Sequence, residues 1–137
     1  MSSKPLSGIR VLELGQLIAG PFAAKMLGEF GAEVIKIEPP GKGDPLRNWR
    51  LIHDGTSVWW QVQSRNKKSV SLDLRQPEAQ DLIRALVKDI DVVVENFKPG
   101  TLQRWGIGYQ EVLSQRFPAL IHCGISVFGA DGPLGGL

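Results

Sequence analysis

The sequence predicts an α/β domain of Rossmann-like character, in which helices flank an open, mostly parallel sheet. The first observation is that short runs rich in Val and Ile alternate with longer segments of helical periodicity. The second is the length of 137 residues, which suits one domain that buries its own core without a metal or a disulfide. Because strands alternate with helices, crossover connections must join them, and such connections give parallel strands.

The first predicted elements are a strand, a helix and a second strand. Residues 9–14 (IRVLEL) form a short apolar run that Gly15 interrupts, as expected of a strand that ends in a turn. Apolar side chains then recur at helical spacing, with Pro21 suited to the first helical position and Gly31 to the helix end. The run VIKI at residues 34–37 predicts the second strand.

A long polar segment, residues 39–57, is rich in proline and glycine and predicts a loop. Loops of this length in compact domains are usually functional or mobile. Trp59 and Trp60 then return the chain to apolar surroundings.

The second half repeats the alternation of strand and helix. A strand is predicted at residues 69–74 (SVSLDL), and a helix that Pro77 opens extends to Ile90. The segment DVVVENF is nearly continuously apolar at its start, as expected of a strand covered on both faces. Three elements follow: a helical turn at 101–105, a helix at 109–116 and a strand within 119–129.

Composition excludes several classes of partner. Sixteen basic and fourteen acidic residues leave a formal charge of +2, too little for a nucleic-acid-binding surface. No apolar stretch approaches the roughly 20 residues of a membrane span, and the first residues, MSSKPLSGIR, lack the apolar core of a signal peptide. Cys123 is the single cysteine, so an internal disulfide is impossible. The sequence predicts a cytoplasmic protein that binds neither nucleic acid nor membrane.

Open parallel sheets bind ligands at the carboxyl ends of their strands. The segment GQLIAGP follows the first strand and opens a helix, but it lacks the G-x-G-x-x-G spacing of dinucleotide-binding loops. A plain strand–helix turn and a site of close ligand approach at Ala19 and Gly20 both fit. The segments expected at this edge are residues 15–21, 38–42, 72–75, 95–104 and 126–132.

The segment NFKPGTLQR offers an unusual combination of groups. Asn96 supplies an amide, Phe97 a flat apolar face, and Lys98 and Arg104 supply two cations. Such a set suits an adenine ring with phosphates beside it. Equally, Phe97 could fill the core while both cations are solvated. No His, Cys or paired carboxylates stand at metal-binding spacing, so no metal is predicted.

Five motifs stand in order along nearly the whole chain: PLSGIRVLELGQLIAGP, GAEVIKIEPPGKGD, RNKKSVSLDL, VENFKPGTLQRWGIGY and LIHCGISVFGADGP. Together they resemble the N-terminal part of family III CoA-transferases, the enzymes related to formyl-CoA and carnitine CoA-transferases. The related α-methylacyl-CoA racemases share this fold, but they typically have glycine at the position of Asn66 and proline at that of Asn96, so these two residues favour the transferases.

The resemblance implies that coenzyme A binds as a substrate, with no metal. Carried over position by position, the binding residues are Ile18, Ala19, Leu72, Arg75, Asn96, Phe97, Lys98 and Arg104. Lys98 and Arg104 would serve the nucleotide and phosphate end. Many relatives have an arginine where this chain has Pro39, so a phosphate contact there is lost unless Lys42 or Arg47 replaces it.

The basic residues Arg65, Lys67 and Lys68 precede the strand predicted at 69–74. A strand of about six residues spans roughly 20 Å, so these residues would lie far from a ligand at its carboxyl end. Arg75, just beyond that end, is therefore the better candidate for contact with CoA.

The resemblance also implies a reaction, in which CoA passes between an acyl-CoA and a carboxylic acid through an aspartyl intermediate. The aspartate nucleophile of the family lies further along the chain than Leu137, so none of these residues is predicted to be catalytic. Residues 1–137 are therefore expected to be the N-terminal CoA-binding portion of a longer transferase, inactive alone, with the second domain absent and a homodimer in the full-length form. The alternatives are a non-catalytic CoA-binding or dimerising fragment and the N-terminal part of a racemase.

Overall fold

The computed structural model describes residues 4–129 and 132–135. Its strands in chain order are β1 (Arg10–Glu13), β2 (Glu33–Glu38), β3 (Ile52–His53), β4 (Thr56–Ser57), β5 (Lys67–Ser71), β6 (Val92–Glu95) and β7 (Ile121–Gly124). Five of them form one sheet in the order β5-β2-β1-β6-β7, in which every neighbouring pair is parallel. β3 and β4 form a separate antiparallel hairpin. The predicted parallel α/β architecture is confirmed.

Helices cover the sheet and connect its strands. The α-helices are α1 (Ala19–Glu29), α2 (Val58–Gln63), α3 (Pro77–Leu86), α4 (Thr101–Arg104) and α5 (Ser114–Arg116). Two 3-10 turns (Pro45–Asn48 and Val87–Asp89) and one π-helical turn (Tyr109–Leu113) complete the set. Within the described ranges, none of these helices has both the length and the apolar character needed to cross a membrane.

Apolar side chains pack on both faces of the sheet. Along β1, Val11 and Leu12 point to opposite faces, and each is fully buried. Leu12 belongs to the larger core, which includes Ile83 of α3, whereas Val11 belongs to a smaller core with Ala24 of α1. The inner strands are therefore covered on two sides, as their apolar runs predict.

Two elements, α1 and β5, start two residues earlier than predicted. α1 begins at Ala19, so Pro21 occupies the third helical position, where its missing N–H costs no hydrogen bond. β5 begins at Lys67 and ends at Ser71, so it starts two residues earlier than predicted. Lys67 and Lys68 are accommodated within the strand because each forms an ion pair with a carboxylate of another strand.

The segment predicted as a loop, residues 39–57, is folded over much of its length. The carboxylate of Asp44 accepts a hydrogen bond from the Leu46 N–H and caps the first 3-10 turn. The rings of Trp49 and Trp59 pack at 5.8 Å, and the Arg47 guanidinium lies 4.0 Å from the centre of the Trp60 ring. Within this segment, the 3-10 turn Pro45–Asn48 packs against β4, and it also packs against α2.

Candidate functional site

A cavity of about 270 Å³ opens at the carboxyl ends of β1, β2 and β5. This is the edge at which a parallel sheet is expected to bind its ligand. The cavity is mainly apolar, with a few polar groups, as is usual for small-molecule sites. Its lining residues are Leu14, Gln16, Ile37, Pro39, Leu72, Asp73, Leu74, Arg75, Phe97 and Trp105.

The wall and rim of this smaller cavity differ in character. Phe97 and Trp105 meet edge to face, with ring centroids 5.2 Å apart and an interplanar angle of 76°. Arg75 lies at the rim, where 76% of its side chain is exposed, and donates two 2.8 Å hydrogen bonds to the Asp73 carboxylate. These bonds and the backbone N–H of Arg75 lower the pKa of Asp73 to about 2, while Asp73 raises the pKa of Arg75. An aromatic wall and a permanent cation thus share one cavity.

A second cavity, of about 580 Å³, lies beside the ends of β6 and β7. Phe97 contributes to both cavities, and Lys98 lines only the larger one. In its wall, Nε2 of His122 lies 3.2 Å from Oε1 of Glu95, and the Tyr109 ring stacks on the His122 ring at 4.8 Å. This cavity therefore presents an imidazole–carboxylate pair.

The structure brings together only part of the predicted site. Leu72, Arg75 and Phe97 line the smaller cavity. Among the residues that the structure describes, four of the predicted set line neither cavity: Ile18, Ala19, Asn96 and Arg104. Arg104 is exposed on α4, with Nη2 donating to Thr101 Oγ1 at 2.9 Å. The predicted segment 126–132 lies partly outside the described residues, at positions 130 and 131.

Asn96 holds the chain that follows β1. Its Oδ1 accepts a hydrogen bond from Gln16 N at 2.7 Å, and its Nδ2 donates to Gln16 O at 2.9 Å. A proline at this position could make neither bond. The backbone of Asn66, by contrast, has a φ of 60°, a conformation that glycine and asparagine both adopt readily. The Asn96 side chain thus holds the backbone of Gln16, whereas at position 66 the positive φ explains why asparagine is tolerated.

The proposed substitutes for the missing arginine lie elsewhere. Arg47 donates from Nε and Nη2 to the Glu38 carboxylate at 2.7 and 2.9 Å, and its guanidinium packs on Trp60. It does not line the smaller cavity, where Pro39 takes part in the wall. Lys42 is exposed and does not line that cavity either.

Four buried charged side chains beneath the site were not predicted from the sequence. We call Glu13, Lys36, Asp44 and Lys67 the buried charge cluster. Lys36 Nζ lies 2.8 Å from Glu13 Oε1 and 2.7 Å from Asp44 Oδ2, while Lys67 Nζ lies 2.7 Å from Glu13 Oε2. Burial lowers the pKa of Lys67, and the Glu13 charge opposes that shift. The sequence did contain an indication of this cluster, because Glu13 and Lys36 carry opposite charges inside two apolar strands.

The surroundings of Glu38, at the end of β2, predict that the free energy of unfolding depends on pH. Burial alone would raise the pKa of this carboxyl, but hydrogen bonds from Arg47, Ser69 and the Asp44 N–H lower it to about 2. Because the folded-state pKa lies below the unfolded value of 4.5, this stabilisation is complete above about pH 4.5 and is lost as the pH falls towards 2. The unfolding free energy of the parent should fall as the pH drops through that range. We expect this fall to be about 2 kcal/mol smaller in Glu38→Gln. Urea titrations at several pH values measure it, and equal pH slopes for both proteins would contradict it.

Comparison with known proteins decides the family. The model of the family described as CoA-transferase family III matches residues 6–136. The chain belongs to CoA-transferase family III. The resemblance of the five motifs is thereby confirmed.

Relatives within family III cover nearly all of this chain. Succinyl-CoA–D-citramalate CoA-transferase of Chloroflexus aurantiacus is 53% identical over 131 residues, which are 95% of this chain and 32% of that protein. The human succinyl-CoA:glutarate CoA-transferase is 42% identical over 132 residues, or 96% of this chain and 30% of that protein. The chain therefore spans about a third of the length of these relatives.

Solved structures share the fold. The Mycobacterium tuberculosis protein Rv3272 superposes with a TM-score of 0.90 at 39% identity, covering 100% of this chain and 38% of that one. A CAIB/BAIF family protein from Brucella suis gives a TM-score of 0.89 at 38% identity, covering 98% of this chain and 36% of that one.

Proposed function

We propose that this chain supplies the coenzyme A-binding part of a family III CoA-transferase, which moves CoA between an acyl-CoA and a carboxylic acid. The observation that carries the proposal is the smaller cavity, where Phe97 and Trp105 form an aromatic wall and Arg75 a cationic rim. An adenine ring packs well against an aromatic wall, and a guanidinium binds phosphate through charge-assisted hydrogen bonds. Leu72 contributes apolar surface to the same cavity.

The remaining predicted contacts extend this proposal along the sheet edge. Lys98 and Arg104 are both exposed and lie on the segment after β6, and we propose that they contact a part of CoA that emerges past Phe97. Ile18 directly precedes α1 and Ala19 is its first residue, and we propose that the reactive end of CoA approaches the chain there. The names of the two relatives support succinyl-CoA as the acyl donor.

The covalent step is not assigned to a residue of this chain. In the reaction that we propose, an aspartate carboxylate attacks the acyl-CoA thioester, CoA thiolate leaves, and an anhydride forms. Thiolate attack on the enzyme carboxyl carbon of that anhydride releases the donor carboxylate and forms an aspartyl thioester. The acceptor carboxylate attacks this thioester, which expels CoA thiolate and forms a second anhydride. Thiolate attack on the acceptor carbonyl carbon then gives the new acyl-CoA and restores the aspartate carboxylate. No aspartate here matches the nucleophile position, so we propose that the chain binds CoA and does not catalyse the transfer alone.

We further propose a homodimer for the full-length transferase and a cytoplasmic location. A row of apolar side chains along α1 and at its C-cap supports self-association, since Phe22, Met26 and Phe30 are 50%, 36% and 49% exposed and are spaced four residues apart. The single cysteine is consistent with a reducing compartment.

Removing either proposed phosphate-binding arginine tests the CoA site. We expect Arg75→Ala and Arg104→Ala each to weaken CoA binding about tenfold, since a charge-assisted hydrogen bond to phosphate contributes about 1.5 kcal/mol. Isothermal titration calorimetry with CoA measures the dissociation constants.

Arg65→Ala is the matched control for this experiment. Arg65 precedes the amino end of β5, is 60% exposed, and pairs with Glu29, so its loss should leave CoA affinity unchanged. Equal effects at all three arginines would show general charge attraction rather than a site. No binding by the parent chain at millimolar CoA would overturn the proposed function.

A further inference from the structure

Side chains from three segments hold the backbone of residues 15–17, the turn that leaves β1. Lys36 Nζ donates to Gly15 O at 2.9 Å, and the Asn96 amide bonds both polar groups of Gln16. The N–H of Leu17 donates to Asp44 Oδ1 at 3.0 Å. Four consecutive polar backbone groups are therefore bound by side chains, which is unusual because turns normally satisfy such groups locally or with water.

Leu17 has an unfavourable backbone conformation. Its φ of 67° lies in the left-handed region, which costs a residue with a Cβ about 1–2 kcal/mol. Such conformations persist when the surroundings determine them, and they are frequent beside functional sites. Here the hydrogen bond from Leu17 to Asp44 is the contact that opposes relaxation.

Asp44 is well suited to this role. Its side chain is fully buried, so water does not replace it as an acceptor. Besides the Leu17 N–H, it accepts the Leu46 N–H at 2.8 Å and pairs with Lys36 at 2.7 Å. Both carboxylate oxygens of Asp44 are therefore held by partners other than Leu17, Oδ1 by the Leu46 N–H and Oδ2 by Lys36.

We propose that Asp44 is a positioning residue of the ligand site, and that it acts by keeping Leu17 in the left-handed conformation. The inference rests on the proposed function, because Ile18 and Ala19, the next two residues, are the ones expected to approach CoA. α1 begins at Ala19, so a change of φ at Leu17 would reorient the first turn of that helix relative to the smaller cavity, to which Gln16 contributes. Asp44 contributes to affinity through pre-organisation, without contact with CoA.

The first experiment requires no ligand. Amide hydrogen exchange by NMR reports the Leu17 N–H directly, and we expect Asp44→Ala to accelerate its exchange at least tenfold relative to amides in β1. Asp44→Asn keeps an acceptor oxygen and should change this rate less than threefold. An unchanged rate in Asp44→Ala would overturn the proposal.

The second experiment separates positioning from stability. Calorimetry with CoA is carried out on Asp44→Ala in the parent and in the Leu17→Gly background, where a positive φ is not strained. We expect Asp44→Ala to weaken CoA binding about tenfold in the parent, about 1.4 kcal/mol, and less than threefold in the Leu17→Gly background. A purely structural role of the Asp44–Lys36 ion pair would give equal losses in both, and equal losses overturn the proposal.

Two outcomes, a variant that does not fold and a parent chain that binds no CoA, are interpreted separately. If Asp44→Ala does not fold, Asp44→Ser, which also removes the carboxylate, replaces it in both backgrounds, and its loss of CoA affinity must again shrink with Leu17→Gly for the proposal to stand. If the parent chain binds no CoA, the proposed function fails, and the exchange rate of the Leu17 amide alone decides whether Asp44 sets the turn.

Discussion

Replacing Lys36 with methionine is expected to lower the free energy of unfolding by about 3–5 kcal/mol. The Lys36 side chain is 1% exposed, and its ammonium group contacts Glu13 Oε1, Asp44 Oδ2 and Gly15 O within 2.9 Å. Methionine fills similar volume, so the cost comes from leaving two buried carboxylates without this partner rather than from a cavity. Urea denaturation at neutral pH, followed by circular dichroism, gives the difference.

Lys68→Met is the matched control. Lys68 lies next to Lys67 in β5, pairs with Glu33, and has 72% of its side chain exposed. An exposed ion pair contributes at most about 1 kcal/mol, so the control should differ little from the parent. Losses of the same size in both variants would show that burial of the charge cluster is unimportant for stability.

The course of the chain could largely be predicted from hydrophobic periodicity. The runs around β1, β2 and β6 are apolar because these strands are covered on both faces, and periodicity detects that directly. β5 is at the sheet edge and starts with two lysines, so an apolar pattern places its start at Ser69 and not at Lys67. Its true start depends on Glu13 and Glu33, which are distant in sequence.

The candidate site was only partly predictable for a similar reason. Leu72, Arg75 and Phe97 line the smaller cavity because each follows a strand at its carboxyl end, which is a topological property. The polarity of Asn96 suggested a ligand contact, but whether an amide faces a ligand or a backbone depends on where Gln16 lies, 80 residues earlier. Trp105 was recognised only as the end of a helical turn, because its contact with Phe97 depends on how that turn packs.

The buried charge cluster shows what sequence reasoning lacked. An ionisable residue inside an apolar strand requires a partner, and Glu13 on β1 lies in register with Lys36 on β2. That pair could have been predicted once the two strands were taken as neighbours. Asp44 could not, because it reaches the cluster from the segment expected to be a loop. The fold thus uses a polar layer, rather than further apolar packing, beneath the turn that leaves β1.

Gly15→Ala is expected to destabilise the protein by about 3 kcal/mol, because the turn approaches its neighbours too closely for a side chain. A Cβ at Gly15 would lie 2.6 Å from Asn96 Oδ1 and 2.9 Å from the Cα of Gly20. The second contact is with backbone, so α1 must move away from β1, and we expect CoA affinity to fall as a result.

Gly28→Ala, within α1, is the matched control. Its Cβ would meet Val34 Cγ2 at 3.2 Å, and the gain in helix propensity offsets that contact to within about 1 kcal/mol. Thermal and urea unfolding, with CoA calorimetry on both variants, measure the effects. If Gly15→Ala proves as mild as Gly28→Ala, the close approach of α1 to β1 is not required for the site.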